Sequence, residues 1–89
     1  MTRRKVKIQN RLGLHARAAA RFVHTAARYQ ARVTAGRDGR VMDGKSILGI
    51  LLLGASRGTT LEITAEGEDE AEAVEALVAL VEDHFGERE

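Results

Sequence analysis

The sequence predicts an α+β fold, an open-faced two-layer β-sandwich in which three helices cover one face of a four-stranded antiparallel sheet. Three observations predict it. Four short stretches alternate apolar and polar residues with a period of two, as strands that bury one face do. Three others gather their apolar residues at helical spacing. Their order is βαββαβα, and single-sided strands of this kind suit an antiparallel sheet with its other face wet. No repeat, low-complexity segment or linker interrupts the 89 residues, so 1–89 read as a single domain.

From Arg4 to Gln9, Val6 and Ile8 alternate with Lys5, Lys7 and Gln9, which gives the first strand. Asn10-Arg11-Leu12-Gly13 breaks it. From Ala16 to about Tyr29 the period becomes helical, with Ala19, Phe22, Val23 and Ala26 on one face and Arg17, Arg21, His24 and Arg28 elsewhere. Its high alanine content favours the helix intrinsically. Ala31, Val33 and Ala35 mark a second strand, Gly36-Arg37-Asp38-Gly39 a turn, and Arg40-Val41-Met42 a third strand, together a hairpin. Ser46 caps a short helix from Ile47 to about Leu53, which Gly54 ends. That helix is apolar on too many sides to be fully solvated, so part packs on the core and part is left for docking. Thr60 to Ala65 alternates again, with Leu61, Ile63 and Ala65 inward. The last helix runs from Asp69 to about Phe85, its buried stripe being Ala73, Val74, Leu77, Val78, Val81 and Phe85. Asp69, Glu70 and Glu72 fall in its first turn, where the dipole favours negative charge.

A chain this short buries only about two-thirds of its unfolded surface, so each amphipathic element must contribute. With Phe22, Tyr29 and Phe85 the only aromatics, aliphatic side chains fill the interior. The lack of cysteine excludes disulfides, thiolate metal sites and thiol catalysis. The longest apolar run, Ile47–Leu53, is too short to span a bilayer, and the basic start lacks an apolar signal core, so the expected location is cytoplasmic, with no membrane insertion. Residues 1–65 carry thirteen Lys/Arg against three acids, whereas 66–89 carry ten acids against one Arg. A basic body suits an acidic partner, protein or nucleic acid, though two solvated faces would produce the same asymmetry.

The stretch Asn10-Arg11-Leu12-Gly13-Leu14-His15-Ala16-Arg17-Ala18 sets a histidine at a helix start with a cation two residues on. Unpaired first-turn N–H groups point at the cap position, and the helix N-terminus favours an anion. An imidazole with an ordinary pKa near ~6.5 offers a neutral nucleophilic nitrogen at physiological pH. His15 is therefore the candidate to carry a phosphoryl group, with Arg17 stabilising it through charge-assisted hydrogen bonds. Simple helix capping is the alternative use of His15. His24 and His84 read as structural or solvent-facing, and no cluster has metal-ligand spacing, so neither a metal nor a cofactor is called for.

Ser46 is both a natural N-cap and a place where a regulatory phosphate would be electrostatically welcome. Gly39-x-x-x-x-Gly44-Lys45-Ser46 satisfies the bare P-loop pattern, but a short strand intervenes and no parallel nucleotide-binding sheet is available.

Two signatures, Gly13-Leu14-His15-Ala16-Arg17 and Gly44-Lys45-Ser46-Ile47-Leu48-Gly49-Ile50, resemble those of the histidine-containing phosphocarrier family, HPr, of the bacterial phosphoenolpyruvate-dependent phosphotransferase system. The resemblance covers almost the whole chain. It implies phosphohistidine at His15, assistance from Arg17, regulatory phosphorylation at Ser46 where a serine kinase/phosphorylase exists, and a docking face including Ile47, Leu48 and Leu51, to which Arg21 and Lys45 are added. The implied partners are enzyme I as donor and a sugar-specific or regulatory enzyme IIA as acceptor. Ala18 departs from the pattern, which commonly has proline there. Asn10-Arg11-Leu12-Gly13-Leu14, with Val41-Met42-Asp43-Gly44-Lys45-Ser46, also resembles the nitrogen-related branch, NPr. Two further readings stand beside the carrier: a regulatory module acting through Ser46 without phosphotransfer, and a basic nucleic-acid-binding module, against which the lack of strand aromatics for stacking argues.

Overall fold

A computed structural model describes residues 1–87. Its elements are β1 (Thr2–Lys7), α1 (Ala16–Ala26), β2 (Arg32–Arg37), β3 (Arg40–Asp43), α2 (Ile47–Leu52), β4 (Thr60–Glu66) and α3 (Glu70–Glu82), followed by a 3₁₀ turn at His84–Gly86. The sheet order is β1-β4-β2-β3 and every neighbouring pair is antiparallel. The expected open-faced sandwich is therefore the observed one.

Alternation fixes the register. Val6 opposes Leu61, while Val33 and Ala35 oppose Ala65 and Ile63, so all six face the helices together. Above them lie Ala18, Ala19, Phe22, Val23 and Ala26 of α1, Ile50 of α2, and Ala73, Val74, Leu77, Val78 and Val81 of α3, all buried. Phe22 and Phe85 are the largest side chains of this core and are completely enclosed.

Several boundaries differ from expectation, each for a local reason. β2 runs on to Arg37, because Asp38 (φ 47°) and Gly39 (φ 83°) alone make the turn and Arg37 pairs with Arg40. Two positive-φ residues suit a tight hairpin whose twist matches its strands. α1 stops at Ala26 rather than near Tyr29, its last turn tightening through Arg28 N–H to Thr25 O and Tyr29 N–H to Ala26 O. α3 stops at Glu82, short of Phe85: no basic residue lies in its last turn, and the chain turns left-handed at His84 and Phe85 (φ 54° and 55°). That conformation costs about 1–3 kcal/mol per non-glycine residue, which the full burial of Phe85 helps to offset.

The acids before α3 act across the fold. Asp69 accepts the Gln30 and Ala31 amides, both at 2.8 Å, and these bonds hold its carboxyl below the usual range. Glu70 accepts from the Met1 ammonium (2.8 Å), the Thr2 hydroxyl (2.7 Å) and the Gly67 amide (3.1 Å), which pull its pKa down to about 2. A depressed carboxyl contributes stability above its ordinary value of 4.5, and that contribution is lost as pH falls through about 2. Glu70→Gln should therefore be less stable than the parent at neutral pH, with the difference closing towards pH 2, as urea midpoints across that range will show.

Candidate functional site

The loop from β1 to α1 is set by backbone contacts to the segment after α2. Ile8 continues the ladder, donating to Thr59 O at 2.9 Å and accepting from the Gly58 amide at 2.8 Å, and Leu14 N–H bonds Ala55 O at 2.9 Å. Between them Gly13 adopts φ 66°, and a Cβ there would meet Ala55 O at 2.6 Å. Only glycine fits this turn. It delivers the next residues so that His15 occupies the N-cap of α1.

At that cap the His15 backbone is extended (φ −81°, ψ −178°), and its Nδ1 accepts from the Arg17 amide at 3.4 Å. Its carbonyl accepts from Ala19 N–H at 2.8 Å. The amides of Ala16, Arg17 and Ala18 have no intrahelical carbonyl to bond, so they face outward at the positive end of the helix. The side chain is 27% exposed. Nε2 faces Glu87 Oε2 in a hydrogen bond, and Glu87 Oε1 accepts from Asn10 Nδ2 at 2.9 Å. Asn10 is fully buried and also donates to Gly13 O at 2.8 Å.

Burial pushes the Glu87 carboxyl up, but hydrogen bonds from Asn10 and His15 and the charges of His15 and Arg17 outweigh it, leaving the carboxyl below its ordinary value. Leu12, Ala16, Arg17, Arg21 and Gly86 complete the shallow cleft around the ring. Arg21 donates to Phe85 O and so pins the C-terminal turn against α1.

His15 and Arg17 thus meet at one helix start, as their spacing implied. Asn10 and Glu87 were not singled out from sequence: their role depends on a contact between residues 77 apart, and nothing local announces it. Leu12, 58% exposed at the rim, was likewise passed over.

Ser46 lies elsewhere, as the N-cap of α2, where its Oγ accepts from Gly49 N–H at 3.0 Å. Ahead of it Gly44 sits against Val33, whose Cγ1 would lie 2.5 Å from an added Cβ. β3 intervenes between Gly39 and Gly44, as the rejection of a P-loop required. Ile47, Leu48, Leu51 and Leu52 are exposed on α2 while Ile50 is buried, dividing the helix between an open apolar face and the core. Lys45, expected at that face, is half-buried and its Nζ donates to Tyr29 O at 2.7 Å, closing the end of α1. His24 is exposed on α1, and His84 lies in the turn beyond α3 rather than within the helix. Among the described residues no three His, Cys, Asp or Glu side chains gather as a metal site, and no helix is long and apolar enough to cross a membrane.

A histidine capping a helix, a turn that only glycine can make, and a six-residue helix with an exposed apolar face define the class: a small α+β protein with an imidazole held at a helix start. Comparison gives the family. Residues 2–83 match the model for the PTS HPr component phosphorylation site. The chain is 49% identical over 86 residues to the phosphocarrier protein HPr of Pseudomonas aeruginosa, covering 96% of each. It is 42% identical over 89 residues to that of Neisseria meningitidis, covering all of both. The crystal structure of HPr-C-His from Thermoanaerobacter tengcongensis superposes with a TM-score of 0.96 at 44% identity over the whole of both chains. The chain belongs to the HPr family, the phosphocarriers of the phosphotransferase system. That role implies partners of the enzyme I and enzyme IIA kinds and does not favour the nitrogen-related or purely regulatory readings.

Replacing Ser46 by alanine removes the side-chain N-cap of α2. Ser46→Ala should lower stability by about 1 kcal/mol, measured by urea unfolding, with the fold unchanged.

Proposed function

We propose that His15 is the residue on which this carrier holds its phosphoryl group, and that Nδ1 is the bonding atom. The observation that carries this is the cap geometry: Nδ1 is the ring nitrogen turned to the first-turn amides, where it accepts from Arg17 N–H at 3.4 Å. A phosphoryl group on Nδ1 takes the place of that contact and gains donors from the helix end, with the Arg17 guanidinium adding charge. No step requires the chain to build a catalytic site of its own. The donor, a phospho-enzyme I, and the acceptor, an enzyme IIA, complete the transition state around the exposed ring. Residues 1–89 act in this as one phosphocarrier domain in the cytoplasm.

Docking rests on Ile47, Leu48, Leu51 and Leu52, an apolar patch on α2, which packs directly on α1. Arg17 and Arg21 line the His15 cleft on the neighbouring α1, so a partner with both an apolar contact and acidic groups is matched. Ser46 has a second use open to it: its hydroxyl already bonds a helix-start amide, and a phosphate there would be received by the same end of α2 while adding negative charge beside the docking patch. A serine kinase/phosphorylase is the partner this use would need.

Incubation with enzyme I and phosphoenolpyruvate should label the parent with one acid-labile, base-stable phosphate and leave His15→Ala unlabelled; labelling of His15→Ala would overturn the assignment. Leu48 is 67% exposed, so Leu48→Asp should leave stability within about 0.5 kcal/mol. The same change should raise the KM for charging by enzyme I about tenfold or more, because it sets a charge into an apolar contact.

A further inference from the structure

Glu87 reaches the site from the far end of the chain, and four separate contacts hold it there. Its Oε2 bonds His15 Nε2, and its Oε1 accepts from Asn10 Nδ2 at 2.9 Å. The Asn10 carboxamide is fully buried and donates from the same nitrogen to Gly13 O at 2.8 Å. It cannot turn over without setting its oxygen against two others. Before Glu87 the chain makes a left-handed turn, with φ 54°, 55° and 78° at His84, Phe85 and Gly86, anchored by the buried Phe85 ring and by Arg21 on its carbonyl. Gly86 lacks a side chain where a Cβ would lie 3.1 Å from Arg21 Nη1, which lets the guanidinium cross the turn. Among the described residues, the other charged groups lining this cleft are Arg17 and Arg21.

We propose that Glu87 is a positioning residue for phosphoryl transfer: it keeps a proton on His15 Nε2, leaving the lone pair on Nδ1 where the helix start can receive the phosphoryl group. This rests on the assignment of His15 as the carrier residue. On charging, the Nδ1 lone pair forms the N–P bond as the donor's bond to phosphorus breaks, and the ring, with its proton still on Nε2, becomes an imidazolium. The Glu87 carboxylate faces that charge. On discharge the acceptor's nucleophile bonds phosphorus, the N–P electron pair returns to Nδ1, and the ring leaves as neutral imidazole. Without a proton on Nε2 it would have to leave as imidazolate, a far poorer leaving group. Glu87 thus keeps the ring ready to give the phosphoryl group up, and no proton has to be gained or lost in either direction.

The test uses the full chain in two parts. In ¹⁵N spectra of the unphosphorylated protein, the parent should show His15 with hydrogen on Nε2 and a lone pair on Nδ1, and Glu87→Ala should show both tautomers. An Nδ1–H ring in the parent, or the same tautomer population in both proteins, would overturn the proposal. In the second part, parent, Glu87→Ala and Glu87→Gln are charged by enzyme I and discharged to an enzyme IIA. Discharge should slow by about tenfold to a hundredfold in both variants. Discharge at the parent rate in the near-isosteric Glu87→Gln would overturn the role in leaving-group protonation. Because the tautomer is read without phosphate, its outcome is separate from that of the His15→Ala labelling test.

Discussion

The site depends on one close approach of backbone to backbone, Gly13 lying on Ala55. A Cβ at residue 13 would stand 2.6 Å from Ala55 O, and the φ of 66° is one that other residues rarely adopt. This contact decides where the chain leaves the sheet, and so that α1 begins after His15 and not a residue earlier or later. A shift by one position would rotate the cap side chain by about 100° around the helix and remove the ring from the exposed end. Because Ala55 belongs to the segment just beyond α2, the same contact sets α2 and the histidine in fixed relation. The histidine and the exposed apolar face of α2 are thus one rigid body rather than two.

Most of this architecture could be read from residue patterns, because the forces that make it are local and periodic. Strand alternation placed Val6, Val33, Leu61 and Ile63 inward, and the α3 stripe from Ala73 to Val81 was fully anticipated. Ser46 and Gly54 marked the two ends of α2 through capping chemistry that depends on single residues. The boundaries that moved, at Tyr29 and Phe85, lie where helix propensity continues but the C-terminal carbonyls find other partners. Phe85 belongs to the buried stripe as its spacing suggested, yet it reaches the core from a left-handed turn. Period alone cannot distinguish those two routes. At the site, His15 and Arg17 were legible because they share one turn of helix. Asn10 and Glu87 were not, since their meeting is created by the tertiary fold.

The uneven charge of the chain also has a structural account. Several cations of the basic portion hold carbonyls at places where regular structure ends. Arg37 donates to Gly54 O at 2.9 Å and, with Arg40, reaches the carbonyls ending α2, Lys45 closes α1 at Tyr29, and Arg21 holds Phe85 O. These groups oppose the negative ends of helices and turns, where orphan carbonyls need donors. Acids of the other portion do the reverse, with Asp69 and Glu70 gathering amides around the start of α3. Part of the formal asymmetry is therefore internal fastening, carried by Arg21, Arg37, Arg40 and Lys45.

Ala18 gives the carrier an internal reporter. Its side chain is buried in the third position of α1, yet its amide belongs to the first turn and has no intrahelical carbonyl to bond. A proline there would have no N–H to observe. With alanine, the proton sits at the helix end that His15 caps, and on the proposal that His15 carries the phosphoryl group its exchange with solvent and its resonance should follow the loading of the ring. On that proposal the charged and discharged forms should be distinguishable from the backbone alone, without a label on the phosphate.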